Sequence, residues 1–312
     1  MQQQGAAVYA LMRLLSAVPT LLLVVVLAFM LMRAAPGGPF DEERPLPPDT
    51  AANIERAYNL DAPLHEQLLI YLGGLLQGDF GPSYRYAGYS VAELMGAALP
   101  VSMLLGGLSL LVALTIGLPA GIVAAMRQDS VLDRLVTGTA MFGISVPVLI
   151  VAPLLVLLFA VRLGWLPAGW SGNSPAAALV LPVVALALPQ IAYLTRLMRA
   201  SMIEVLGSDF IRTARAQGLR TGTVIRRHAL RPALLPILSY LGPSVAAVLT
   251  GSIVVEQVFG IPGLGQLFVR ASLNRDYTVV LGVTIVYASM VIVLNMLVDI
   301  VYAWLDPRIR RQ

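Results

Sequence analysis

The chain has no cysteine, no lysine and only two histidines. Without cysteine it can form no disulfide, offer no thiolate nucleophile and bind no metal through sulfur. Without lysine it has no Walker A lysine, no Schiff-base amine and no kinase-type phosphate contact, so all 21 basic residues are arginine. His65 and His228 stand far apart in the sequence and are expected on opposite sides of a bilayer, so neither a metal centre nor a catalytic triad can be assembled from them. Charge is scarce too, at 12% of residues. What fills the gap is apolar: 58% of 312 residues are hydrophobic, with a mean hydropathy of +0.80. That composition excludes a pair of soluble domains and predicts an integral membrane protein. The net charge of +4 lies mainly in loops between apolar runs, which points to anionic headgroups and a cytoplasmic partner and not to nucleic acid.

Six apolar runs are long enough to cross a bilayer core: 10–32, 99–126, 135–161, 177–197, 234–255 and 279–304. The first lacks a clean Ala-x-Ala site after it and is long for a signal sequence, so it reads as a retained helix. The expected fold is all-α, a polytopic integral membrane protein with six transmembrane helices. Arginine density places the 127–134 loop, the 200–232 segment and the C-terminal tail in the cytoplasm, with both termini inside and the acidic, proline-rich 36–98 region outside. The organisation is then an N-terminal helix in 1–35, an extracytoplasmic subdomain in 36–98, a five-helix core in 99–305 and a cytoplasmic tail in 306–312. Ala113, Gly117, Gly121 and Ala125 form a ladder of small residues that allows a close helix crossing. Gly143-Ile-Ser145-Val-Pro147 puts a weak point inside the third span. Asp299 is the carboxylate lying well inside a span, close enough to its inner end to reach water or an arginine.

One polar stretch stands out between two apolar runs: residues 208–236, rich in arginine. It reads as two short helices about a break, with Ser208 as N-cap, Gly218 supplying a positive φ at C′, and Thr221 or Thr223 capping the second helix. Ile211, Ala214 and Gly218 share one face of the first helix, a small-residue face that another backbone could approach. Arg212-Thr213-Ala214, then Gly218, then His228-Ala229-Leu230-Arg-Pro-Ala-Leu-Leu-Pro236 resembles the EAA loop of ABC-transporter permeases, in the form found in dipeptide and oligopeptide permeases. Here Arg212 and Thr213 stand where the general pattern has Glu and Ala. After the fifth span, Glu256-Gln-Val-Phe259-Gly-Ile-Pro262-Gly263-Leu-Gly265 and Arg275-Asp276-Tyr277 are similar to the external loop, 256–278 here, of the same permeases. The first external loop, with Leu-Asp-Ala-Pro-Leu64 and Gly78-Asp-Phe-Gly81, looks like theirs as well.

The resemblance implies the ABC type I importer permease fold and a non-catalytic membrane subunit of the inner membrane that moves di- or oligopeptides inward. It implies coupling to ATPase subunits through Phe210, Arg212, Thr213, Ala214, Arg215, Ala216, Gly218, Leu219, His228, Ala229 and Leu230. It places an external gate or binding-protein contact at Glu256, Phe259, Pro262, Gly263, Gly265, Arg275 and Asp276. The implied partners are a second homologous permease, two ATP-binding subunits and an extracytoplasmic solute-binding protein, in addition to membrane lipid. The chain itself is expected to bind no cofactor and no metal, with ATP and Mg on the partner subunits. Ser145, Gln190, Tyr193 and Asn295 are polar members of spans 3 to 6 and are candidates for the translocation pathway. Two alternatives share the apolar framework: the same importer carrying haem or nickel complexes, and a secondary transporter driven by an ion gradient. The latter predicts paired intramembrane acids and an internal repeat.

Overall fold

A computed structural model describes residues 4–34, 61–86, 88–171 and 175–305, with side chains described within 15–301. The expected proline-rich part of the 36–98 subdomain and the 306–312 tail lie largely or wholly outside the described residues. Among the described residues the secondary structure is helical apart from one isolated bridge, Pro82 to Ser90. The helices are α1 Gln4–Ala34, α2 Leu64–Leu76, α3 Val91–Met126, α4 Val131–Ser145, α5 Val148–Leu155, α6 Pro175–Leu206 and α7 Asp209–Ala216. They continue with α8 over 221–233, which carries a π-helical stretch at Val224–Ala229, then α9 Leu235–Phe259, α10 Leu264–Leu273 and α11 Tyr277–Leu305.

Among the described residues five helices are long and apolar enough to span a membrane, and the count becomes six when α4 and the helix that follows it are taken as one span. That third span is not straight. It turns through 102° between Val131–Ser145 and Val148–Arg162. The cause is local: Val146 precedes a proline and is extended at φ −96°, ψ 119°, and Pro147 then starts the next helix. The predicted weak point is therefore a sharp corner, and the helix after it ends in a π-helical stretch, Val156–Arg162.

Two helix starts, those of α3 and α4, carry side-chain caps. Ser90 and Glu93 form a reciprocal box at the start of α3: the Ser90 amide donates to Glu93 Oε2 at 2.8 Å and the Glu93 amide donates to Ser90 Oγ at 3.2 Å. The Asp133 amide donates to Ser130 Oγ at 3.2 Å, so α4 begins at Val131 and the loop expected over 127–134 is shorter than its arginines suggested.

The described chain divides into two compact units. The first is built on Met103–Ile261 with the chain from Val291, and its core gathers Leu194, Met198 and Met202 of α6, Ile211 and Ala214 of α7, and Val224, Ala229 and Ala233 of α8. Within it α6 packs against α4, α5, α8 and α9. The predicted small-residue ladder is at work here: a Cβ on Gly121 would stand 2.5 Å from the Thr195 carbonyl oxygen, and one on Gly117 would stand 3.0 Å from that of Ile191. Bare glycine lets α3 and α6 touch along their backbones. The second unit comprises Leu14–Ser102 and Pro262–Met290, with a core of Val91, Met95, Leu264, Val279 and Val283.

Candidate functional site

Residues 208–233 form a compact pair of helices seated in the core of the first unit. In α7, Ile211 and Ala214 are buried, at 0% and 5% exposure, among Val224, Ala229 and Ala233. The face carrying Ile211 and Ala214 therefore turns inward, and what the outside meets is the opposite side: Phe210, Arg212, Thr213, Arg215, Ala216, Gly218 and Leu219, all exposed. Phe210, an aromatic ring on a polar helix, is 49% exposed. Gly218 has φ +77° and ends α7 as expected, its amide donating to the Arg215 carbonyl at 3.0 Å. Two caps differ from expectation. Ser208 sits at the N-cap position, but its hydroxyl donates backward to the Val205 carbonyl at 2.6 Å. Arg220, with no capping side chain, occupies the N-cap of the second helix, so Thr221 and Thr223 lie inside it. On α8, Ala229 is buried, His228 and Leu230 are half-buried, and Arg226 and Arg227 are exposed.

The charge pattern is one-sided. Arg212, Arg215, Arg220, Arg226 and Arg227 are exposed and face solvent with Asp209, whose carboxylate is 3.5 Å from Arg212 in an exposed pair of little energetic weight. Such a surface suits a carboxylate-bearing partner groove with an apolar slot for Phe210.

Two contacts of α6 that the sequence did not disclose fix its C-terminal part, one to the island and one to α4. Ser201 of α6 donates its hydroxyl to the Ala233 carbonyl at the end of α8 at 2.9 Å. Two residues earlier, Arg199 of α6 grips Asp133 of α4 with both arms, Nε and Nη2 each donating at 2.6 Å. Asp133 is 3% exposed and also accepts from the Asp129 amide at 3.0 Å and the Thr137 hydroxyl at 3.3 Å. The Ser130-x-x-Asp133 spacing signals a helix start and could have placed Asp133 on α4, but its distant arginine partner leaves no mark in sequence.

Around the external loop, Glu256 is fully buried near the end of α9 and its carbonyl accepts from the Ile261 amide at 2.9 Å. Gly260, at φ +65°, ends that helix, and the Phe259 carbonyl accepts from the Trp170 amide at 2.8 Å, so buried Phe259 is anchored within its own unit. In the second unit Pro262 is exposed, whereas Gly263 and Gly265 are buried where α10 begins. The Leu264 amide donates there to Ser102 Oγ at 2.8 Å. Arg275 is exposed at φ +57°. Asp276 is fully buried: it accepts from the Ser83 hydroxyl at 2.5 Å, the Thr278 hydroxyl at 3.0 Å, and the Tyr84 and Arg85 amides at 3.2 and 3.3 Å. Its carboxylate latches residues 83–85 onto the turn before α11, and among the candidate residues of the external loop Pro262 and Arg275 are exposed.

Of the polar span residues, Gln190 is buried and its Oε1 accepts from Tyr240 at 3.1 Å and Ser244 at 2.8 Å, binding α6 to α9. Tyr193 is 42% exposed and stacks on Tyr240 with centroids 4.0 Å apart. Ser145 is exposed at the corner of the third span, its hydroxyl donating to the Met141 carbonyl at 2.8 Å. Asn295 faces Gly242 so closely that a Cβ there would collide with its amide oxygen. The structure thus joins Gln190 and Tyr193 through Tyr240. Among the described residues no three His, Asp or Glu converge as metal ligands.

Residues 117–311 match the family of binding-protein-dependent transport system inner membrane components. Over 299 residues the chain is 50% identical to the oligopeptide transport system permease protein OppB of Haemophilus influenzae, covering 96% of this chain and 97% of that protein. It is 43% identical to the dipeptide transport system permease protein DppB of Bacillus subtilis, covering 97% of each. Among solved structures, the inward-facing MetNI methionine ABC transporter aligns over 68% of this chain and 96% of that chain, with a TM-score of 0.58 at 18% identity, a likeness of fold.

Proposed function

Because the chain belongs to the binding-protein-dependent transport system inner membrane components, we propose that its 208–233 island is the handle by which separate ATPase subunits drive import. The chain is a multi-pass inner-membrane permease subunit of an ABC importer of the oligopeptide and dipeptide type. It has spans for a pathway and lacks lysine for a nucleotide site, so the work of ATP must enter from outside it.

The observation that carries the coupling role is the two-sidedness of α7. One side is welded to the core through Ile211 and Ala214, and the other offers Phe210 amid exposed arginines. A partner pulling on Phe210 moves α7 and α8 together, and the Ser201 to Ala233 bond passes that motion to the inner end of α6. The full importer in this reading has two ATP-binding subunits, a second homologous permease and an extracytoplasmic binding protein delivering peptide to the exposed Pro262 and Arg275 side. Phe210→Ala in membranes holding the cognate subunits tests it. Unchanged membrane insertion with loss of ATPase co-purification and of peptide uptake is expected, and full uptake by this variant would overturn the handle.

A further inference from the structure

Helix α2 is inside out for a segment beyond the spans. Its Gln67 is buried, at 8% exposure, while Leu69, Ile70 and Leu76 stand 66%, 52% and 91% exposed. A water-facing helix buries its leucines and exposes its amides, so this reversal marks apolar surroundings. The same unit shows where those surroundings come from. Span α1 turns only a narrow stripe inward, Val25 and Phe29, each 3% exposed, and leaves Leu22, Leu23, Leu27, Met30 and Leu31 outside as its lipid-facing surface. Phe29 stacks with Tyr71 of α2 at 6.4 Å between centroids, so α2 packs on the inward stripe of α1.

Where the two helices meet there is a cleft of about 240 Å³. Phe29, Met32 and Ile70 line its apolar part, and Arg33, Tyr71 and Asp79 its polar part. The Arg33 guanidinium lies over the Phe29 ring at 5.5 Å, in the last turn of the span, where a headgroup would be. The Tyr71 hydroxyl oxygen is buried with no hydrogen-bond partner among the described residues, and burial pushes its phenol above the ordinary tyrosine range, so it stays a neutral donor. Asp79 is exposed and uses Oδ1 to accept from the Gly81 amide at 2.8 Å, keeping a second oxygen for a cation. Tyr84 and Tyr277 complete a ring of tyrosines, the residue type that settles at the water and lipid boundary.

We propose that this cleft binds the headgroup of one zwitterionic amino-phospholipid, with its phosphate on Arg33 and the Tyr71 hydroxyl, its ammonium on Asp79, and its acyl chains along the exposed faces of α1 and α2. One cation and one carboxylate in a single cleft select a headgroup that carries both signs, and the apolar faces select a lipid over free phosphate. A bound lipid of this kind fixes α2 at the membrane surface and with it the 81–90 loop that Asp276 latches.

Native mass spectrometry of the full-length chain released from bilayers of equal phosphatidylethanolamine, phosphatidylglycerol and phosphatidylcholine tests it. The unmodified chain should retain phosphatidylethanolamine at least threefold over either other lipid, and 10 mM inorganic phosphate should not displace it. Arg33→Gln should cut retention at least fivefold, and Arg33→Lys should restore most of it. Asp79→Asn, which keeps an acceptor for the Gly81 amide, should erase the preference over phosphatidylglycerol. Equal retention of the three lipids, displacement by phosphate, or no loss in Arg33→Gln would overturn the proposal. So would a photo-crosslinker at position 70 that labels another polypeptide in the assembled importer and no lipid.

Discussion

Asp133→Asn removes one charge from the clamp between α4 and α6 while keeping the side chain's shape. The carboxylate takes both arms of Arg199 at 2.6 Å in a position 3% exposed, so the substitution leaves a guanidinium without its counter-charge. Removing one partner of a buried pair costs about 3–5 kcal/mol. The Arg199 side chain keeps 26% exposure and can recover some hydration, which lowers the expectation to about 2–3 kcal/mol. Arg199→Lys keeps the charge but loses the fork, at about 1 kcal/mol. Asp133→Asn with Arg199→Gln leaves two amides that can bond each other, so the double variant should cost less than the sum of its single changes. Unfolding of the purified chain by SDS in mixed micelles, followed by circular dichroism, measures all of these. A loss under about 0.5 kcal/mol for Asp133→Asn, or strict additivity in the cycle, would refute the claim that this pair holds the two spans together.

Gly121→Ala should push α3 off α6, because the new methyl meets the Thr195 carbonyl oxygen at 2.5 Å and Met198 Cβ at 2.7 Å. About 2 kcal/mol should be lost, and Gly117→Ala, at 3.0 Å, should lose less by the same SDS titration. Asp276→Asn weakens a set of hydrogen bonds made to a charged acceptor, so the 81–90 loop should become protease-sensitive, with about 2 kcal/mol less stability. Ser83→Ala should show a milder form of the same cleavage pattern. Gly218→Ala forces a side chain into φ +77° at the end of α7, at a cost of about 1 kcal/mol, and should lower ATPase affinity in a pull-down without affecting insertion.

The external-loop acids show where reading a sequence stops. Glu256 and Asp276 look like surface groups waiting for a partner, since acids are normally exposed. Both are fully buried, and Asp276 spends its oxygens on Ser83 and the amides beside it, nearly two hundred positions away along the chain. The same limit holds for the island. Helical spacing put Ile211, Ala214 and Gly218 on one face, but only packing against α8 reveals that Ile211 and Ala214 point inward and Phe210 outward.

Composition and local order did determine a good deal: the apolar runs, the glycine at the end of α7, the corner before Pro147 and the ladder of small residues are each written within a few neighbouring positions, because backbone sterics and bilayer thickness act over that range. Tertiary structure alone decided that Arg199 closes on Asp133 and that α2 presents leucine outward while burying Gln67. Those outcomes depend on which surfaces meet once the helices pack, and an ion pair or a buried amide between distant segments has no periodicity for a sequence to display.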